Sequence, residues 1–103
     1  MRLWLYILSN ISQPGMARIG LVEDPPEALI KNLNSSVASP YPYTLDFKLL
    51  LKDDGHHILM NIRKVLWVEH RNLCNGWYRI SVQEAISIVR EEVSLFVAGK
   101  LVS

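Results

Sequence analysis

The chain has 103 residues, half of them hydrophobic, and a formal net charge of +1. That length suits one domain with a single core, and the near-zero charge gives no overall argument for nucleic acid. No apolar stretch approaches the ~20 residues of a membrane helix. A single cysteine, Cys74, excludes an intramolecular disulfide framework and a cysteine-cluster metal site, and a reducing, cytoplasmic setting is the expectation.

Residues 3–8 form an apolar run behind Arg2. The run is shorter than a signal-peptide core and no small-residue cleavage site follows, so it reads as a buried strand. Residues 16–22 form a second short run. Between them lie Ser9, Asn10, Ser12, Gln13, Pro14 and Gly15, turn formers that predict an antiparallel hairpin with a long loop. The stretch Asp24-Pro25-Pro26-Glu27 signals a helix start, with Asp24 suited to the N-cap, Pro25 to the first helical position and Glu27 three residues after the cap. This helix is expected to carry Leu29, Ile30 and Leu33 on one stripe and to stop at Asn34-Ser35-Ser36. Tyr43–Leu51 predicts a third strand, in which Leu45, Phe47 and Leu49 alternate with Thr44, Asp46 and Lys48.

Asp53 and Asp54 are placed to cap a second helix with Ile58, Leu59, Ile62, Val65 and Leu66 as its buried stripe. After a loop, residues 77–80 predict a short extended segment. Ser81 followed by Glu84 is a capping box for the last helix, in which Ile86, Val89, Val93 and Phe96 recur every three or four residues. The order β-β-α-β-α-β-α predicts an α/β (α+β) fold with a small three-stranded, mostly antiparallel sheet flanked by helices. Without repeats or low-complexity tracts, residues 1–103 read as one domain.

Charge is unevenly distributed. Residues 56–80 hold Arg63, Lys64, Arg71 and Arg79 against one acid, Glu69, which is either a local basic patch or a solvated helix and loop. Trp4, Trp67, Trp77 and Tyr78 offer either stacking faces for bases or core filler, and core is the favoured reading for Trp77 and Tyr78. The pair His56-His57 lacks a companion ligand at metal-binding spacing. Cys74 has no nearby base to make it a nucleophile and reads as incidental.

The ordered set Leu5-Tyr6-Ile7-Leu8-Ser9-Asn10, Gln13-Pro14-Gly15 and Ala17-Arg18-Ile19-Gly20 resembles the opening hairpin of the GIY-YIG nuclease superfamily, in its phage-type DNA-binding branch. Pro26-Glu27, Leu33-Asn34-Ser35, Pro42-Tyr43 and Trp77-Tyr78-Arg79 extend the likeness over nearly the whole chain. The resemblance implies metal-assisted phosphodiester hydrolysis in active members, with a tyrosine near the attacking water, an arginine on the first helix and a glutamate holding one divalent ion. Negative charge developing on a phosphodiester needs such groups to neutralise it.

Carried over position by position, Tyr6 and Arg18 are the retained catalytic remnants. The helix arginine falls at Leu29 or Ala28, the second-helix histidine at about Arg63 and the metal-binding glutamate at Gly76. Lys31 is a poor substitute for the arginine, because two residues along a helix is about 200° around it. Glu69 and His70 near the loop before Trp77, and His56 and His57, are the candidates for a displaced metal site, although adjacent helical residues such as His56 and His57 point in different directions. The resemblance thus implies a catalytically impaired domain that binds DNA or another nucleic acid through Arg18, Arg63, Arg71 and Arg79, with no assigned metal site and no membrane. Two alternatives stand beside it. One is a protein-interaction or regulatory module reusing the scaffold; the other is an active endonuclease with displaced groups, which would need Mg2+.

Overall fold

The computed structural model describes residues 2–36, 41–73 and 75–102. The elements are β1 (Leu3–Asn10), β2 (Ala17–Val22), α1 (Pro26–Ser36), β3 (Tyr43–Leu51), α2 (Gly55–Val68), β4 (Trp77–Tyr78) and α3 (Val82–Val102). The architecture is α+β, a four-stranded antiparallel sheet in the order β3-β1-β2-β4 with three helices. The expected three-strand count is therefore corrected. Trp77 and Tyr78 are not merely extended but pair with Arg18 and Ala17, which adds a fourth strand to the β2 edge.

A tight turn makes that pairing possible. Asn75 and Gly76 both have positive φ, 57° and 81°, the backbone that an Asn-Gly hairpin turn requires. The turn folds Trp77 back so that its carbonyl accepts from Leu73 N–H at 2.9 Å, and the Gly76 carbonyl accepts from Ile19 N–H at 3.0 Å.

Alternation divides the sheet into two faces. Leu5, Ile7, Ala17, Ile19 and Leu51 form one core with Ile58, Leu59, Ile62 and Leu66 of α2 and with Ala85 and Val89 of α3. Each large aliphatic side chain buried there contributes about 1.5–3 kcal/mol, whereas exposed ion pairs add little. Apolar burial, then, is what holds α2 and α3 on the sheet. Val65, expected in the buried stripe of α2, is 36% exposed at its margin.

The third strand departs from simple alternation. Pairing passes from Ile7↔Phe47 to Leu8↔Leu45, leaving Asp46 as the extra residue of a bulge. Leu45 consequently lies on the opposite face from Phe47 and Leu49, which pack against the core. A period-two reading cannot anticipate a one-residue insertion.

Side-chain clamps fix the connections. Asn10, only 4% exposed, accepts from Ser12 N–H at 2.9 Å and Ser12 Oγ at 2.8 Å, and its amide donates to the Tyr41 carbonyl at 3.1 Å. The β1–β2 loop is thereby tied to the entry of β3. Asn34 near the end of α1 accepts from Tyr43 N–H at 2.7 Å. Glu27 in the first turn of α1 is salt-bridged to Lys48 on β3, and Lys48 in turn lies 5.4 Å from the centre of the Trp4 ring.

Helix ends follow local chemistry with small shifts. α1 begins at Pro26 rather than Pro25, with Ala28 N–H donating to the Pro25 carbonyl at 3.0 Å, and it runs to Ser36. Asp54 precedes α2 and accepts from Ile58 N–H through its main-chain carbonyl at 3.0 Å, not through a side-chain cap. At the other end of α2, His70 takes φ 55° while His70 N–H reaches the Trp67 carbonyl and Arg71 N–H reaches the Leu66 carbonyl, both at 2.9 Å. That is a Schellman closure with histidine in the position glycine usually fills.

Ser81 Oγ accepts from Glu84 N–H at 3.1 Å, the N-cap half of the expected capping box, while the Glu84 carboxylate turns to Arg71 instead of completing the box. Ser81→Ala is expected to lower stability by about 1 kcal/mol, read as a shift of the urea midpoint with an unchanged slope. No described helix is long and apolar enough to cross a membrane.

Candidate nucleic-acid interface

β4 pairs with only the first two residues of β2, so the β2 edge beyond Ile19 borders an open cleft. The cleft has a volume of about 790 Å³ and is walled by Tyr6 of β1, Arg18 and Ile19–Leu21 of β2, His56, Leu59 and Arg63 of α2, and Asn75, Gly76 and Trp77. Ligand pockets fall in this size range.

Tyr6 reaches the cleft because Gly20 has no side chain. The two residues are direct cross-strand partners. A Cβ placed on Gly20 would stand 2.6 Å from the Tyr6 hydroxyl and 2.8 Å from Cζ, closer than carbon and oxygen atoms tolerate. The phenol ring thus lies across β2 at a point where only glycine leaves room, and the Tyr…Ile-Gly pattern of the hairpin has a packing reason that holds whatever its chemistry.

Burial raises the Tyr6 pKa above the ordinary phenol value, and the neighbouring Arg18 charge only partly opposes it. The phenol accordingly stays protonated, a hydrogen-bond donor, throughout the neutral range. A folded-state pKa above the unfolded one adds stability that is complete below the unfolded value and disappears as pH rises through the folded one. Stability is expected to fall above about pH 10, and Tyr6→Phe should flatten that alkaline limb in chemical-denaturation midpoints measured across it.

The electrostatic character of the cleft comes from what surrounds the two arginines. None of the lining residues is a carboxylate. Among the described residues, neither Arg18 nor Arg63 forms a salt bridge. Two guanidinium groups from different elements therefore face one concavity with their charge uncompensated, beside the Tyr6 hydroxyl, the His56 ring and the Asn75 amide. Such an arrangement favours an anion, and guanidinium matches phosphate oxygens in geometry as well as charge.

The other two basic candidates lie elsewhere. Arg71 is committed to Glu84, with Nη1 2.7 Å from Oε2, and to Glu69, with Nε 3.3 Å from Oε1. These contacts raise its pKa further and bind the α2 exit to the first turn of α3. Arg79 is exposed and does not line the cleft; its main-chain N–H donates to the Arg71 carbonyl at 2.7 Å. His56 and Asn75 were not singled out as nucleic-acid contacts by sequence. His56 opens a helix like any polar residue, and Asn75 carries only a turn signal.

The residues present do not fit a divalent metal. Mg2+ demands hard oxygen ligands, yet Gly76 stands where the resemblance implies glutamate, and no group of three histidine, cysteine, aspartate or glutamate residues converges among the described residues. A glutamate at 76 would be strained, because φ is +81° and its Cβ would sit 3.4 Å from the Ile19 carbonyl. Glu69 faces Arg71, and the His57 ring packs 5.3 Å from that of Phe96, so it does not join His56 at the cleft. None of Ala28, Leu29 and Lys31 of α1 lines the cleft either, leaving no replacement for a helix arginine. Cys74 lies outside the described residues.

In comparisons with known proteins, no family model, no curated protein and no solved structure matches this chain.

Proposed function

We propose that this chain is a nucleic-acid-binding domain on a GIY-YIG-like scaffold whose catalytic groups have been replaced. The observation that carries the reading is the cleft itself. Tyr6, Arg18, Arg63 and Gly76, four positions marked by the sequence resemblance and separated by up to 70 residues of chain, line one concavity with no carboxylate among its lining residues and two arginines that form no salt bridge among the described residues. A phosphate seated there accepts hydrogen bonds from Arg18 and Arg63 on either side and from the Tyr6 hydroxyl. Binding needs only that charge and those donors; hydrolysis would need a metal ligand and a clamp on the leaving side, which the lining residues lack.

The reading is tested by fluorescence titration with single-stranded, duplex and branched DNA at low and moderate salt, with Mg2+ present and the products run on a gel. Salt-sensitive binding without cleavage is the expected result, because phosphate contacts release counterions. Affinity indifferent to salt would count against the cleft. Mg2+-dependent cleavage that disappears in Tyr6→Phe would instead make the chain an active nuclease with displaced groups. A second reading, a protein-interaction module, draws on the exposure of Trp67 and Val68 on α2; it gains if no nucleic acid binds.

A further inference from the structure

Trp67 is 67% exposed. A large aromatic left in water forgoes most of the stabilisation its burial would bring, and this one has a definite setting. It follows Arg63 by four residues on α2, which puts both side chains on the same side of the helix about one turn apart. With Arg63, Asn72, Leu73, Gly76 and Tyr78 it lines a shallow groove of about 250 Å³. Arg63 and Gly76 line both this groove and the larger cleft, so the two concavities share a wall.

The shared wall joins two kinds of recognition. On one side lies the anion site of Arg18 and Arg63, and on the other an indole face with an apolar neighbour, Leu73. No carboxylate lines either concavity. An apolar protein surface docking on Trp67 would cover Arg63 and bury its charge without a counter-ion, which is costly. A nucleotide supplies both complements at once, a phosphate for the arginines and a flat π-face for the indole. Bases inside a duplex already stack on both faces, so along a strand it is an unpaired base that has a face free for Trp67, and in a duplex only the end pairs do.

We infer that Trp67 stacks an unpaired base of a strand whose phosphate occupies the Arg18–Arg63 cleft, making single-stranded nucleic acid the target class. This rests on the cleft reading above and adds to it a preference that the cleft alone does not give.

The test compares the intact chain with Trp67→Leu and Trp67→Phe in titrations against a labelled 15-nucleotide single strand, its duplex and an abasic oligomer of equal length and charge. Deoxy and ribo strands are both used, and unchanged thermal midpoints verify that the variants fold. The single strand is expected to bind at least tenfold more tightly than the duplex or the abasic oligomer. Trp67→Leu should weaken single-strand binding by about tenfold with an unchanged salt slope, Trp67→Phe should retain part of the affinity, and the abasic oligomer should not distinguish the three proteins. Equal, salt-sensitive binding of single strand and abasic oligomer, untouched by Trp67→Leu, would overturn the stacking role and leave the cleft reading standing. Absence of any nucleic-acid binding by the intact chain would overturn both. A self-associated species in sedimentation that Trp67→Leu dissociates would assign the indole to a protein interface instead.

Discussion

Gly20→Ala is expected to lower the thermal midpoint by about 5–20 °C, because one added methyl group collides with the outer end of the Tyr6 ring and must displace it. The new Cβ would lie 2.6 Å from the Tyr6 hydroxyl and 2.8 Å from Cζ, and Tyr6 is only 4% exposed. Overpacking of this kind costs about 1–3 kcal/mol, and each kcal/mol moves the midpoint of a domain this size by roughly 4–8 °C. A double-mutant cycle isolates the cause. Tyr6→Leu removes the colliding atoms, so in that background Gly20→Ala should be nearly neutral, giving a coupling of about 1–3 kcal/mol. Tyr6→Phe should relieve only part of the strain, since Cζ remains. An equal loss from Gly20→Ala in all three backgrounds would mean that strand propensity, not the close approach, explains the glycine. The same substitution should also weaken nucleic-acid binding, because Tyr6 reaches the cleft only across Gly20.

Elements specified by local pattern were readable before the fold was known. The stripe Ile58, Leu59, Ile62 and Leu66 is a helical period and is buried; Ser81 and Glu84 are close neighbours in sequence, and Ser81 caps the Glu84 N–H. What escaped depends on contacts between distant segments. Two residues carry no periodicity, so the strand character of Trp77-Tyr78 exists only through pairing with Ala17 and Arg18, some sixty residues earlier. The bulge at Asp46 is a property of how β1 and β3 register, not of the β3 sequence. The basic residues divide for the same reason. Arg63 and Arg71 look alike in the chain, but Glu84 comes back through α3 to neutralise Arg71, while among the described residues no carboxylate forms a salt bridge with Arg63. Gly20 illustrates the reverse: its place in the hairpin motif was evident, yet the reason for it is a ring on the neighbouring strand.

That division of the arginines leads to the other large effect. Arg63→Ala and Arg18→Ala are each expected to reduce single-strand affinity by about tenfold at low salt, as loss of a charged hydrogen bond to phosphate implies. Each should also lower the slope of log affinity against log salt by about 0.7, the contribution of one phosphate contact on a single strand. Arg63→Glu should go further, to about a hundredfold or more, since it introduces a carboxylate into a cleft that has none. Neither alanine variant should change stability appreciably, because neither arginine is salt-bridged among the described residues. Arg71→Ala is the informative contrast. Its guanidinium already serves Glu84 and Glu69, so its removal should leave the salt slope intact and loosen only the α2–α3 junction. A slope that falls as much for Arg71→Ala as for Arg63→Ala would move the anion path out of the cleft and onto that junction.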